Sequence, residues 1–114
     1  MKSLDTAPIT ERERAAIREA ARILKDQFPV EEVILFGSKA RGDFDEESDI
    51  DLLVLTSRRV DWREHDSMID CLFELQLEND VVISLFIQTA EEWLHGIKGA
   101  LPIKRAVDRE GISV

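Results

Sequence analysis

The chain has 114 residues and a formal net charge of −9. A chain of this length forms one domain with its own core, so we expect residues 1–114 to be a single domain. The negative charge argues against nucleic acid as the main ligand, because binding phosphates requires a basic surface, and it is compatible with a basic protein partner or with simple solubility. The single cysteine, Cys71, excludes an intrachain disulfide. Without an N-terminal signal pattern or a run of membrane-spanning length, we expect a soluble cytoplasmic protein that does not bind membranes.

The N-terminal part of the chain predicts a helix followed by a strand. Thr10 and Glu13 match a capping box, and apolar residues recur at helical spacing up to about Asp26. The branched apolar run from Val33 to Phe36 then predicts the first strand. A helix that leads directly into a buried strand is typical of an α/β domain.

A glycine and a serine follow this strand. Gly37 allows tight backbone geometry and the close approach of a ligand. Ser38 is expected to cap a short helix through Lys39 to Arg41, whose first backbone N–H groups would face an anion. The turn is therefore a candidate phosphate-binding site.

Two acidic residues mark the second predicted strand, which runs from Asp49 to Leu55. Side chains two positions apart project from the same face of a strand, so Asp49 and Asp51 should lie side by side while the intervening apolar residues face the core. Adjacent carboxylates repel unless a cation lies between them, and oxygen ligands that leave room for phosphates and water suit Mg²⁺. We expect Asp49 and Asp51 to bind Mg²⁺ and to be catalytic. The alternative interpretation is that both are acidic surface residues of a hairpin or turn.

The rest of the chain predicts alternating helices and strands. The predicted elements are a helix capped by Asp61 with a buried stripe of Met68, Cys71, Leu72 and Leu75, a strand from Val81 to Ile87, a helix capped by Thr89 through about Ile97, a helix from Pro102 to about Arg109, and a terminal strand from Ile112 to Val114. This alternation again indicates an α/β domain.

The phosphate turn and the acidic strand together resemble the signature of the DNA polymerase β-like nucleotidyltransferases, and specifically the minimal nucleotidyltransferases. The matching residues are Gly37, Ser38, Arg41, Gly42, Ser48, Asp49 and Asp51. The resemblance covers nearly the whole chain. It implies an α/β (α+β) fold of the polymerase β-like type, with a mixed sheet of three or four strands covered by helices.

The resemblance also implies a function. Such proteins transfer a nucleotide from a nucleoside triphosphate, here expected to be ATP, with Mg²⁺ as cofactor. They are often paired with a HEPN-domain protein, a helical ribonuclease-like toxin, and some are antitoxins that transfer AMP to a tyrosine of that partner. Because this chain has no room for an acceptor-binding domain, the acceptor site should be completed by another chain. The sequence leaves open whether the protein also forms homo-oligomers.

One position departs from the resembled family. A third carboxylate is common there on the third strand, where this chain has Ser84, and a neutral hydroxyl is a weak metal ligand. Asp80, on the same predicted strand face, would be roughly 13 Å away and too distant to replace it. Two hypotheses follow: transfer supported by Asp49 and Asp51 alone, or a protein that neutralises its HEPN partner by binding without turnover.

Two basic residues of the short helix are candidate nucleotide ligands together with Gly37 and Ser38. Lys39 and Arg41 could stabilise phosphate oxygens, and the guanidinium of Arg41 could do so with two parallel hydrogen bonds. A solvated helix face that balances nearby acidic residues is the alternative for both. Transfer to a small molecule or to RNA is less favoured, because the chain has neither an added substrate domain nor a basic surface.

Overall fold

The computed structural model describes residues 2–42, 49–96 and 102–114. In chain order, the elements are β1 (Lys2–Ser3), a short 3₁₀ helix (Leu4–Thr6), α1 (Glu11–Gln27), β2 (Val30–Phe36), α2 (Ser38–Arg41), β3 (Ile50–Thr56), α3 (Trp62–Asp70), α4 (Phe73–Asn79), β4 (Ile83–Thr89), α5 (Ala90–His95), α6 (Pro102–Glu110) and β5 (Ile112–Ser113). Among the described residues, no helix has the length and apolar character needed to cross a lipid bilayer.

The strands form one mixed sheet in the order β1-β5-β2-β3-β4. β2 pairs antiparallel with β3 and with β5, whereas β3 pairs parallel with β4 and β5 pairs parallel with β1. This confirms the predicted mixed sheet covered by helices. The predicted strands are all present, and the two-residue strand β1 adds one that the sequence did not predict. β4 forms one edge of the sheet.

Helix α1 begins with the predicted capping box. The Thr10 hydroxyl accepts a hydrogen bond from the backbone N–H of Glu13 at 3.1 Å, and Glu13 Oε1 accepts one from the backbone N–H of Thr10 at 3.0 Å. These bonds satisfy donors that have no partner within the helix. The buried face of α1, which includes Ile17 and Leu24, packs against one side of the sheet.

The sheet is apolar on both faces. On the first face, side chains of β2 and β3 such as Leu35 and Leu52 join the core formed with α1, α3 and α4. On the other face, Leu53 and Leu55 cluster with Trp93 of α5 and with α6. The expected division into one charged and one apolar face is therefore wrong beyond Asp51, because α5 and α6 cover the continuation of the acidic face.

Several element boundaries differ from the predictions. The helix after Asp61 is divided into α3 and α4, and Cys71, at the break, is only partly buried. Asp80 is the C-terminal cap of α4 with a left-handed backbone, at φ 52°, and so lies before β4 rather than on it. The strand starts at Ile83, where pairing with Ile50 begins. The predicted end of the next helix, at Ile97, lies outside the described residues.

Candidate active site

The phosphate turn connects β2 to α2. Gly37 has a φ of 77° and caps α2, and its carbonyl oxygen accepts hydrogen bonds from the N–H groups of Ala40 and Arg41, each at 3.1 Å. The prediction that Ser38 caps this helix is wrong, because Ser38 is the first helical residue and the positive φ of the cap is one that glycine readily adopts. The backbone N–H groups at this end of α2 nevertheless remain suited to an anion.

Gly37 packs directly against one of the two aspartates. A Cβ atom at position 37 would overlap Asp51 Oδ2. The carboxylate of Asp51 therefore occupies the space that any other side chain at this position would need. The structure thus brings the turn and the acidic strand together, and it accounts for glycine at position 37.

The two predicted acidic residues lie close to each other at the start of β3. Asp51 is paired with Phe36 of β2 on one side and with Ser84 of β4 on the other, and Asp49 is exposed just before the strand. Burial raises the pKa of Asp51, and the negative charge of Asp49 raises it further, whereas the positive charge of Arg41 opposes both effects. A cation between the two carboxylates would offset the repulsion between them.

Arg41 connects this site to a buried acidic residue that the sequence did not reveal. Its Nη1 donates a hydrogen bond to Glu110 Oε1 at 3.1 Å, and the side chain of Glu110, the last residue of α6, is buried. Arg41 also lowers the pKa of Asp51 through its charge. No motif or periodicity singles out Glu110, because its role depends on a contact between residues far apart in the chain.

Lys39 points away from solvent. Its side chain is 2% exposed, and Nζ lies 2.5 Å from Glu13 Oε2, whose side chain is also buried. The alternative of a solvated helix face is therefore wrong for Lys39. Burial alone would raise the pKa of Glu13, but hydrogen bonds from Lys39 and Thr10 outweigh it and hold the pKa below its usual value. The pair joins the phosphate turn to the capped end of α1.

Ser84 lies beside both aspartates. It is paired with Asp51 in the sheet, and its hydroxyl donates a hydrogen bond to Asp49 Oδ2 at 3.4 Å. Among the described residues, no group of three or more His, Cys, Asp or Glu side chains could hold a metal ion. Two carboxylates that leave room for phosphate and water ligands still fit Mg²⁺. Ser48, which belongs to the resembled motif, lies outside the described residues.

Comparison with known proteins identifies the family. The model of the nucleotidyltransferase domain family matches residues 17–107, which include β2, α2 and β3. The chain belongs to this family. Membership confirms the predicted nucleotidyltransferase family. A candidate protein adenylyltransferase of Methanocaldococcus jannaschii is 41% identical over 70 residues, which cover 61% of this chain and 69% of that protein.

Solved structures share the fold. A toxin-antitoxin crystal structure with AMP-PNP has a TM-score of 0.60 at 19% identity, covering 91% of this chain and 72% of that one. A tri-AMPylated Shewanella oneidensis HEPN toxin in complex with an MNT antitoxin includes a chain with a TM-score of 0.55 at 18% identity, covering 89% of this chain and 70% of that one. At these identities the likeness establishes the nucleotidyltransferase fold.

Proposed function

We propose that this nucleotidyltransferase transfers AMP from ATP to a hydroxyl group of a HEPN-domain partner and thereby acts as an antitoxin. The observation that carries the proposal is the pair Asp49 and Asp51 held against the phosphate turn at Gly37. The choice of AMP and of a protein acceptor rests on the relative named for protein adenylyl transfer and on the fold shared with an antitoxin bound to an AMPylated HEPN toxin.

Each polar group of the site has a place in this proposal. Asp49 and Asp51 would hold Mg²⁺, which when bound offsets the negative charge of the triphosphate. The backbone of Gly37 and Ser38, at the N-terminus of α2, would bind phosphate oxygens. Arg41, oriented by Glu110, would stabilise negative charge on the phosphates as the reaction proceeds.

Two further residues would act on the shape of the site rather than on the phosphates. Ser84 would orient Asp49 through its hydrogen bond. Lys39 is left out of the phosphate site because its ammonium is buried against Glu13, where it fixes the position of α2. The turn and the aspartates would thus enter the reaction already positioned.

The proposed reaction is a single displacement at the α-phosphorus of ATP. An acceptor oxygen forms a bond to this phosphorus while the bond to pyrophosphate breaks, and the acceptor proton passes to solvent or to a base of the partner. The neutral hydroxyl of Ser84 is not a general base at neutral pH. The site therefore contributes positioning and charge stabilisation, and the acceptor comes from another chain.

Transfer of a radioactive label tests the proposal. The protein is incubated with Mg²⁺, its proposed HEPN-domain partner, and ATP labelled either at the α- or at the γ-phosphate. Only the α-label should appear on the partner, and Asp49→Asn should abolish it, whereas the matched control Asp26→Asn, on the exposed end of α1, should not. Absence of label from the partner, or its persistence in Asp49→Asn, would contradict the proposal.

Ser84 in place of a third carboxylate favours a second candidate function, in which the protein neutralises its partner by occlusion. Occlusion requires a complex that forms without nucleotide and an inhibition that survives the loss of both aspartates. Calorimetry without nucleotide and a ribonuclease assay with the double variant Asp49→Asn, Asp51→Asn would distinguish the two. Inhibition that depends on both aspartates would reject occlusion.

A further inference from the structure

An exposed apolar strip runs along α3 and α4 to the start of β4. Ile69, Phe73 and Leu77, spaced by four residues, are 45%, 61% and 66% exposed, and Val82 is 57% exposed. A groove of about 310 Å³ lies along the strip and is lined by Phe73, Gln76, Leu77, Asp80, Val81 and Val82. Large apolar side chains that are exposed side by side mark a surface for binding another molecule. We call these four residues the apolar strip.

Acidic residues border the apolar strip. They are Asp66, Asp70, Glu74 and Glu78, again spaced by four residues, together with Asp80, and all five are exposed. The sequence contains no lysine or arginine between Arg63 and Lys98. Like charges at this spacing repel each other along a helix, and among the described residues no basic side chain of the same segment offsets them. A basic partner would remove this repulsion.

The charge of this border selects the occupant. A second copy would bring a net charge of −9 and the same acidic border against this one, so self-association through the strip is electrostatically unfavourable. Nucleic acid is excluded as the occupant of the strip as well, because the acidic border repels its phosphates. A protein segment that combines an apolar face with flanking lysines or arginines meets both features of the surface at once.

The shape of the strip favours a helix as that segment. Residues spaced by four along a helix form a ridge, and such a ridge fits the groove between side chains of a second helix. Phe73 and Leu77 form such a ridge on α4, and Ile69, near the end of α3, and Val82, just before β4, add to the apolar surface. We propose that the apolar strip docks an amphipathic helix of a partner protein whose apolar face is bordered by basic residues. This docking does not depend on nucleotide or on the aspartates of the active site.

A synthetic peptide tests this inference. The probe is a short helical peptide of leucine and lysine with its leucines on one face, and its affinity for the protein is measured by fluorescence anisotropy without nucleotide. Leu77→Gln should weaken binding about tenfold, as expected for a central contact. The matched control is Leu94→Gln, since Leu94 on α5 is 62% exposed but lies outside the strip, and it should leave the affinity unchanged.

Charge is tested separately, so that the inference does not rest on one variant. Glu78→Gln should weaken binding and reduce its dependence on salt, whereas Glu31→Gln, an exposed glutamate on β2, should do neither. A peptide with glutamate in place of lysine should not bind. Asp49→Asn should bind the lysine peptide normally, which separates failure of the docking proposal from failure of the proposed reaction.

Three results would overturn the inference. The first is equal weakening by Leu77→Gln and Leu94→Gln, which would indicate non-specific binding. The second is equal binding of the glutamate and lysine peptides, which would remove the electrostatic argument. The third is a dimer in sedimentation experiments that Leu77→Gln dissociates, which would make a second copy the occupant of the strip.

Discussion

Replacing Lys39 with methionine tests the buried ion pair that anchors the phosphate turn. Methionine keeps much of the length and apolar contact of the lysine side chain while removing its charge. In the variant the carboxylate of Glu13 stays buried, and it still accepts hydrogen bonds from the backbone N–H and the hydroxyl of Thr10. The effect on stability should therefore report the contribution of the ammonium group.

The expected loss of unfolding free energy in Lys39→Met is large for a domain of this size. Removing one partner of a buried ion pair costs about 3–5 kcal/mol, because the other charge is left uncompensated. The hydrogen bonds from Thr10 retain part of the compensation for Glu13, so we expect a value near the lower limit, about 3 kcal/mol. Since small domains are stable by about 5–15 kcal/mol, the variant should fold but unfold at clearly lower urea concentration.

The loss should also depend on pH. In the wild type the pKa of Glu13 is below its usual value of 4.5, so the pair stabilises the protein at neutral pH and this contribution disappears as pH falls through the folded-state pKa. In Lys39→Met, the ammonium no longer opposes the effect of burial, which raises the pKa of Glu13, so the carboxyl group of Glu13 takes up a proton more readily. The difference in stability between the two proteins should therefore shrink in acid.

Urea unfolding followed by circular dichroism measures this effect, and Lys25→Met is the matched control. Lys25 is exposed in the last turn of α1, and its replacement should change the free energy of unfolding by no more than about 0.5 kcal/mol. In a double-mutant cycle with Glu13→Gln, the coupling energy should be about 1 kcal/mol or more. A loss below about 1 kcal/mol for Lys39→Met, with no coupling to Glu13, would refute the reasoning.

Variants at three other positions test the site. Gly37→Ala should lower the free energy of unfolding by about 1–3 kcal/mol, because φ 77° with ψ −159° is a backbone conformation that residues other than glycine rarely adopt. It should also abolish ATP binding by displacing Asp51, and normal ATP binding in calorimetry would contradict this. Asp51→Asn should raise the free energy of unfolding in urea at neutral pH, because burial and the charge of Asp49 raise the pKa of the carboxyl group that it removes. This gain in stability should vanish below the ordinary pKa of aspartate, and a loss of stability at neutral pH would disprove the reasoning. Ser84→Asp should bind Mg²⁺ about tenfold more tightly in calorimetry while Ser84→Ala does not, and equal affinities would show that position 84 is remote from the metal.

The sequence predicted the parts of the fold that depend on local patterns. The capping box at Thr10 and the succession of helices and strands were apparent from neighbouring residues. Strand β1 was not, because two residues carry no periodicity and the strand forms only by pairing with β5 at the other end of the chain. Likewise, the apolar continuation of the acidic face depends on where α5 and α6 pack.

The same distinction holds within the candidate site. The spacing of Asp49 and Asp51 and the glycine before α2 were apparent from the sequence, and the family resemblance linked the two parts. The buried partners of the basic residues, Glu13 for Lys39 and Glu110 for Arg41, were not predictable, since each pair joins helices that are distant in sequence. Charge and spacing alone did not distinguish a buried lysine from a solvated one.

Mass spectrometry of the intact HEPN partner tests the central claim most directly. After incubation with this protein, ATP and Mg²⁺, the partner should gain the mass of one or more AMP groups. Asp49→Asn and Asp51→Asn should each leave its mass unchanged, and Asp26→Asn should modify it as the wild type does. A partner that forms a complex yet gains no AMP, or gains it when both aspartates are replaced, would contradict the account.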